Sequence, residues 1–242
     1  MAPILDNPLP DQSQTTNIAV QAGRTDLEGI LAIPHGSKAI VLFAHGSGSS
    51  RFSSRNHFVA RKLNDAGLAT LLFDLLTAEE HKIDQVTREL RFDIALLSER
   101  LVSAVDWVNG YKPTRRFKIG LFGASTGAAA ALIAAAEKPD QVEAVVSRGG
   151  RPDLAGDALP RVCAPTLLIV GGHDDVVIQL NQEASRLLNV AHSMEIVPGA
   201  THLFEEPGKL ERVSQLACDW FRRYLVESHK TTKFDVTATN EY

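Results

Sequence analysis

The sequence predicts an α/β domain in which a mostly parallel sheet of about eight strands lies between two layers of helices, a three-layer sandwich. Residues 39–44 form a continuous apolar run, which is typical of a strand buried on both faces of a sheet. Stretches with helical spacing alternate with further apolar runs to the end of the chain. Glycine-rich and polar stretches follow several of these runs, at the edge where parallel sheets bind ligands.

The elements of the first half follow from local patterns. Two short alternating runs around Gly23 predict a hairpin, 17–22 and 27–33. The apolar run 39–44 predicts the next strand, and the spacing of 56–66, which ends before Gly67, predicts a helix. Residues 68–73 predict a buried strand, 77–89 a charged connection with some helix, and 93–108 a long amphipathic helix.

The second half continues the alternation. Residues 118–122 predict a strand, and the alanine-rich stretch 125–137 predicts a helix that ends before Pro139. Residues 142–147, 166–170 and 194–197 predict three more strands. Helices are predicted over 181–188 and 210–226.

Length and composition limit the organisation of the chain. The 242 residues suit one domain, and we expect a flexible lead-in at 1–14, one domain over 15–228 and a polar tail at 229–242. The only two cysteines, Cys163 and Cys218, lack the spacing of metal ligands, so neither a disulfide framework nor a structural zinc site is expected.

Charge and hydropathy exclude several classes of partner. The net charge of −4 gives no basis for binding nucleic acid or an anionic membrane surface. The first residues lack the pattern of a signal peptide, and no apolar run approaches transmembrane length. We therefore expect a cytoplasmic protein that acts on a small molecule. The sequence does not determine whether copies of the chain associate.

The pentapeptide Gly123-Ala124-Ser125-Thr126-Gly127 is the first candidate for chemistry. It lies between a predicted strand and a predicted helix, which is the context of a nucleophile elbow. A serine in such a turn projects above the sheet edge, and the amides of the following helix favour negative charge there. We predict that Ser125 is a nucleophile.

A serine hydroxyl needs a base, and the base needs an acid that orients it. Asp174 and His202 both follow predicted strands downstream of Ser125, in the order Ser, Asp, His. We assign His202 as the general base and Asp174 as its partner, with the adjacent Asp175 as an alternative. His45 precedes the serine, so we expect its ring to support a loop.

The oxyanion of an acyl-transfer intermediate needs backbone amide donors. The amide of Thr126, directly after the nucleophile, is one candidate. The second donor is expected in the loop after the third strand, at Ser47, with Gly48 as the alternative.

Four arginines lie close to these loops and have no role in this chemistry: Arg51, Arg55, Arg148 and Arg151. Arginine forks suit carboxylates and phosphates, so we hypothesise that Arg51, Arg148 and Arg151 bind an acidic group of the substrate. The alternative is that the arginines pair with acidic residues such as Asp74 and Asp153 and hold loops in place.

Four motifs in order, His45-Gly46-Ser47-Gly48, the elbow, Gly171-Gly172-His173-Asp174 and Gly199-Ala200-Thr201-His202, resemble the α/β-hydrolase fold superfamily. The resemblance covers about residues 16–226 and is closest to the small dienelactone-hydrolase-like members. It implies a Ser-His-Asp triad and no cofactor or metal. Dienelactone hydrolases are known for a cysteine nucleophile, whereas this chain has Ser125, so the departure points to a serine esterase.

The expected function is hydrolysis of carboxylic esters through an acyl-serine intermediate. Only about fifteen residues, 151–165, separate two predicted strands where other family members insert a helical cap, so we expect an open site. A thioesterase, lactonase or acyltransferase using the same triad is the alternative, and a non-catalytic binding protein of this fold is a further one.

Overall fold

A computed structural model describes residues 14–227, which form one eight-stranded sheet. The spatial order of the strands is β1-β2-β4-β3-β5-β6-β7-β8. The pairs β1–β2 and β2–β4 are antiparallel, and all the other pairs are parallel. The strands are β1 Gln14–Ala22, β2 Thr25–Ile33, β3 Ala39–Ala44, β4 Ala69–Phe73, β5 Lys118–Ala124, β6 Val142–Arg148, β7 Thr166–Gly171 and β8 His192–Val197.

Six α-helices, together with the sheet, complete the domain over residues 14–227. Helices α1 and α6 pack on one face with the aromatic core that includes Phe43, Phe122 and Phe221. The opposite face carries α3, α4 and α5 over a core rich in leucine, valine and alanine. The helices are α1 Ser54–Asp65, α2 Ala78–Thr87, α3 Ile94–Gly110, α4 Thr126–Glu137, α5 Asp175–Ser185 and α6 Lys209–Phe221.

The predicted fold class is confirmed, and the central elements begin and end close to the predicted residues. The prediction for α5 is wrong at its start, because the helix begins six residues before residue 181, directly after Asp174. Its buried residues Val177, Asn181 and Ala184 have helical spacing, but the exposed Val176 and the buried polar Asn181 obscure that pattern in the sequence. The predicted tail at 229–242 lies outside the described residues, as does the lead-in except for residue 14, which begins β1.

The segment between β6 and β7 packs beside the sheet and does not form a helical cap. It contains the 3-10 segment Pro152–Arg161, which contacts α4 and α5. Ala155, Ala158 and Leu159 of this segment are buried in the leucine-rich core. The carboxyl ends of β5 and β6 are therefore not covered by this stretch of chain.

Helix α2 lies within the charged connection 77–89, for which the sequence predicted some helix. A capping box begins it, because the Glu80 N–H donates to the Thr77 hydroxyl and the Thr77 N–H donates to the Glu80 carboxylate. Asp84 is its one buried residue, whereas Ile83 and Val86 are exposed. A 3-10 turn, Leu90–Phe92, connects α2 to α3.

Candidate active site

Ser125 occupies a strained turn between β5 and α4, with φ 51° and ψ −122°. A positive φ is uncommon for a residue with a side chain, and such strain is typical of functional positions. The glycines on either side allow the turn. A Cβ at Gly123 would lie 2.4 Å from the Cα of Ala128, and one at Gly127 would lie 2.2 Å from the carbonyl oxygen of Ala44.

The backbone of Ser125 is bound to the end of β6. Its N–H donates to the carbonyl of Arg148 at 3.3 Å, and its carbonyl accepts the N–H of Arg151 at 3.1 Å. Ser125 remains partly accessible at the carboxyl edge of the sheet. The elbow therefore projects one hydroxyl from a backbone that is held on several sides.

Asp174 and His202 meet across the ends of β7 and β8. The Nδ1 of His202 lies 2.6 Å from Oδ2 of Asp174, a hydrogen bond that orients the ring and leaves Nε2 free to exchange a proton. Asp174 is mostly buried, whereas Asp175 is exposed as the first residue of α5. The geometry thus pairs His202 with Asp174 and not with the alternative Asp175.

Ser125 and His202 lie against the same short segment after β6. A Cβ at Gly149 would lie 3.5 Å from Cε1 of His202, and Gly149 follows Arg148, which binds the Ser125 backbone. Within residues 14–227 the Ser125 hydroxyl makes no hydrogen bond to His202. Such contacts are often long without substrate and shorten when it binds.

Residues 45–49, the 45–49 loop, pass directly beside the nucleophile. A Cβ at Gly46 would lie 3.1 Å from the Cβ of Ser125. The ring of His45 holds the loop, because Nδ1 contacts the Gly46 carbonyl at 3.0 Å and Nε2 accepts the Leu75 N–H at 3.1 Å. Burial lowers the pKa of His45, although the Gly46 carbonyl and Asp74 oppose the shift, so the ring is neutral at pH 7. This is the structural role that the sequence predicted.

The predicted amide donors flank Ser125 from two directions. Thr126 is the first residue of α4, so its N–H has no partner within the helix. Ser47 is partly accessible on the 45–49 loop, and its N–H makes no hydrogen bond within the described part of the chain. Gly48, the alternative, has φ 72° and is exposed.

Two of the predicted substrate-binding arginines are already paired. The guanidinium of Arg51 contacts Asp74 and lies 2.5 Å from the Glu28 carboxylate. Arg151 binds Asp153 through two hydrogen bonds of 2.9 and 2.7 Å. Both arrangements match the alternative in which arginines hold loops in place.

Arg148 is different, because it is buried and no carboxylate pairs with it among residues 14–227. Its Nε makes no hydrogen bond there, and neither does the Nε of the neighbouring Arg55, whose Nη1 binds Glu205. Burial, together with the charge of Arg55, lowers the pKa of Arg148 to about 10. The group is still charged at pH 7, and an unpaired buried charge is unfavourable.

One contact of this site was missed by sequence reasoning. The guanidinium of Arg91 packs against the 45–49 loop, since a Cβ at Gly48 would lie 3.2 Å from Nη1 of Arg91. Arg91 is held by Asp84 of α2 through hydrogen bonds to both carboxylate oxygens. The Thr77-x-x-Glu80 pattern predicts where α2 begins, but no local pattern connects it to this loop.

A cavity of about 940 Å³ lies beside His45 and Ser49 of the 45–49 loop, between the β1–β2 turn, residues 49–52 and the first turns of α2. Ser125, Asp174 and His202 are not among its lining residues.

Within residues 14–227, no group of three or more His, Cys, Asp or Glu residues is arranged to hold a metal ion. The helices in that range are all too short or too polar to cross a membrane.

Comparisons with known proteins identify similar chains. The model of the dienelactone hydrolase family matches residues 27–226. The crystal structure of a dienelactone hydrolase from Anabaena variabilis is 59% identical, with a TM-score of 0.88 over 89% of this chain and 100% of that chain. A dienelactone hydrolase-like promiscuous phosphotriesterase, P91, from metagenomic libraries is 19% identical, with a TM-score of 0.71 over 88% of this chain and 99% of that one. P91 shows a likeness of fold alone.

A relative from Mycobacterium tuberculosis (strain H37Rv) is named "Putative phosphoribosyl transferase". It is 54% identical over 220 residues, which are 91% of this chain and 48% of that protein. The chain thus spans about half the length of the two curated Mycobacterium tuberculosis relatives that carry this name.

Proposed function

The chain is an α/β-hydrolase of the dienelactone hydrolase family, and we propose that it cleaves carboxylic esters through an acyl intermediate on Ser125. The observation that carries the proposal is the 2.6 Å hydrogen bond between Asp174 and His202, beside a serine in an elbow with φ 51°. An oriented imidazole next to a protruding hydroxyl suits nucleophilic acyl transfer.

The proposed reaction has two halves with one proton carrier. His202 takes the proton of Ser125 as its oxygen attacks the ester carbonyl, and then gives that proton to the leaving alcohol. Water replaces the alcohol, and His202 takes a proton from it as the water oxygen attacks the acyl carbon. The bond between the acyl carbon and the Ser125 oxygen then breaks, His202 returns its proton to that oxygen, and the acid leaves. Asp174 orients the ring and stabilises its cationic form throughout.

Amides on both sides of Ser125 support the charged intermediate in this proposal. The Thr126 N–H at the start of α4 and the Ser47 N–H of the 45–49 loop make no hydrogen bond within the described chain. Preorganised amides of this kind stabilise an oxyanion without further rearrangement. The chemistry requires neither a metal nor an organic cofactor.

The leaving group and the acceptor define the related activities. A lactone, a thioester or a second alcohol as acceptor would use the same three residues, so lactonase, thioesterase and acyltransferase activities are the alternatives. The name of the Mycobacterium tuberculosis relative belongs to a protein about twice as long as the match, and we therefore assign the family's chemistry to this chain. A binding protein without catalysis is the outcome to test against.

Arg148 is the residue that favours an acidic substrate group. Arg51 and Arg151 already bind carboxylates, whereas the buried guanidinium of Arg148 has no anionic partner within residues 14–227. Of the three arginines, we therefore keep only Arg148 as a candidate that binds an acidic group of the substrate. We predict that Arg148→Met reduces any preference for carboxylate-bearing esters over neutral esters. An unchanged ratio of kcat/KM between the two esters would remove this assignment.

Labelling with a fluorophosphonate tests the nucleophile directly. The wild-type chain is expected to take up one label per molecule, and Ser125→Ala is expected to take up none. Nitrophenyl esters of different acyl length then measure turnover, which should fall at least about 10⁴-fold in Ser125→Ala. Ser185→Ala, on the surface-facing end of α5, is the control and should behave as wild type.

Two results would contradict the proposal. A folded wild-type chain that neither labels nor hydrolyses any ester would indicate a binding protein. Label that persists in Ser125→Ala would place the nucleophile elsewhere.

A further inference from the structure

We propose that Arg91, which is held by the buried Asp84 of α2, positions the 45–49 loop. In this position the Ser47 N–H of the loop can donate to the oxyanion that forms when Ser125 attacks the ester. This inference rests on the proposed esterase function and adds a residue that does not itself touch the substrate. Asp84 and Arg91 are positioning residues in this account.

The first support is the way in which α2 is attached. A helix on a protein surface normally buries an apolar stripe, but α2 exposes Ile83 and Val86 and buries only Asp84. The second attachment of α2 is also ionic, between Glu80 and Arg100 of α3 at 2.9 Å. Because a buried carboxylate needs a partner, the packing of α2 depends on Arg91.

The second support is the completeness of the Asp84–Arg91 contact. Oδ1 of Asp84 accepts the Arg91 backbone N–H at 2.9 Å, and Oδ2 accepts Nε at 2.7 Å. Nη2 of Arg91 donates to the Asp84 carbonyl at 3.0 Å. Although burial opposes the shift, the hydrogen bonds from Arg91 lower the pKa of Asp84. Three donors of Arg91 thus bind Asp84, and two of them, Nε and Nη2, hold the guanidinium in one orientation.

The third support is the part of Arg91 that Asp84 leaves free. Nη1 has no hydrogen-bond partner among residues 14–227, and it lies against the face of Gly48 where a Cβ would be 3.2 Å away. A void of only about 10 Å³ separates the 45–49 loop from α2 and the turn that carries Arg91. The 45–49 loop and this guanidinium are therefore neighbours with little empty space between them.

The backbone also brings Arg91 back to α2. Arg88, which ends α2, has φ 59°, a conformation that residues with side chains rarely adopt. Its N–H donates to the Asp84 carbonyl at 2.8 Å, the same oxygen that Nη2 of Arg91 reaches. The reversal after α2 places Arg91 between Asp84 and the 45–49 loop.

The expected consequence is a change in the chemical step with little change in binding. If the 45–49 loop is released, its amide moves relative to the oxyanion while the substrate pocket keeps its walls. Arg91→Ala should lower kcat about 10- to 100-fold, because small displacements of a donor have effects of this size, and KM should stay within about twofold. Arg91→Lys, which keeps the charge but not the fork, should show an intermediate loss.

The control is the other ion pair of the same helix. Arg100→Ala removes the contact with Glu80 but leaves the 45–49 loop untouched, so kcat and KM should stay within about twofold of wild type. Added guanidinium should restore part of the kcat of Arg91→Ala, since the side chain is partly accessible, and should not change Arg100→Ala. End-point fluorophosphonate labelling counts the folded sites in every variant, so kcat is expressed per labelled Ser125.

Each outcome separates the two proposals. Wild type that labels, with kcat unchanged in both Arg91 variants, would overturn the positioning role and leave the esterase proposal intact. A rise in KM at constant kcat would make Arg91 a substrate ligand instead, and an equal loss in Arg100→Ala would reduce its role to anchoring α2. Failure of wild type to label would instead overturn the proposed function.

Discussion

Two helices flank the candidate site and are held in opposite ways. Helix α4, behind Ser125, buries ten of its twelve residues, nine of them glycine, alanine or leucine. Helix α2, behind the 45–49 loop, buries only Asp84 and is held by ion pairs with Arg91 and Arg100. Close backbone packing therefore holds the serine in place, whereas ion pairs hold α2 beside the 45–49 loop.

This difference has an energetic consequence. Close packing leaves no room for adjustment, because an added methyl group meets backbone atoms. Ion pairs near the surface tolerate more rearrangement and respond to pH. We expect α4 to react strongly to changes of volume and α2 to react to changes of charge.

The largest expected effect is that of Gly127→Ala on α4. The new Cβ would lie 2.2 Å from the Ala44 carbonyl oxygen, so β3 and α4 must separate. We expect the free energy of unfolding in urea to fall by more than about 3 kcal/mol. Gly110→Ala, where no atom lies within 4 Å of the Cβ, is the control and should be neutral or slightly stabilising. Equal stability of the two variants would show that α4 can shift.

Truncating one apolar side chain in each helix compares their packing directly. Leu132 of α4 is fully buried, so Leu132→Ala should reduce the free energy of unfolding by about 3 kcal/mol. Ile83 of α2 is more than half exposed, and Ile83→Ala should change it by less than about 0.5 kcal/mol. A large loss for Ile83→Ala would mean that α2 docks through apolar contacts after all.

Removing the charge of Asp84 should loosen α2 locally. Asp84→Asn weakens the contact with Arg91, and we expect about 1–2 kcal/mol of lost stability, concentrated in this segment. Hydrogen exchange should accelerate for the amides of residues 78–92 and stay unchanged in α4. Asp106→Asn, at the exposed pair with Lys138, is the control, with an expected change below about 0.5 kcal/mol.

The smallest expected effect is a dependence of the free energy of unfolding on pH, caused by the titration of His45. Burial lowers its pKa below 6.5, so the unfolded chain binds this proton more readily than the folded chain. The stabilising contribution is complete above pH 6.5 and is lost as the pH falls from there towards the folded pKa. Between pH 7.5 and 6 we expect a loss of up to about 0.8 kcal/mol, measured by urea unfolding.

Substitution of His45 isolates that contribution. His45→Gln should flatten the decline in stability between pH 7.5 and 6, because the amide does not titrate there. His35→Gln, at an exposed position, should retain the wild-type decline. Parallel curves for wild type and His45→Gln would assign the pH dependence to other groups.

The prediction from sequence succeeded where a local pattern carries the physical constraint. The glycines around Ser125 and the apolar run of β3 are constraints within a few residues. The elbow and the strand β3 can therefore be predicted from the sequence alone. The start of α5 was missed because Val176 is apolar but exposed and Asn181 is polar but buried, and periodicity is a weak signal over so few buried residues.

The candidate site shows the same limit at longer range. The order Ser125, Asp174, His202 follows from strand order, and the structure places the last two in contact. The partners of the arginines were left open as two alternatives, because ion pairs such as Arg51 with Glu28 depend on how separate loops approach. Only the tertiary structure distinguishes Arg151, which binds Asp153, from Arg148, which has no carboxylate partner within residues 14–227.

The sequence by itself determined the fold class, the turn that carries Ser125 and the identity of the strand-end loops, because glycine spacing and apolar runs act over short distances along the chain. Only the tertiary structure decided which carboxylate binds which cation, and therefore that Asp84 holds Arg91 against Gly48. The physical reason is that the attraction between two charges depends on their distance in space and not on their separation in the sequence. The partner of a charged side chain is therefore the group that folding brings within a few ångströms of it.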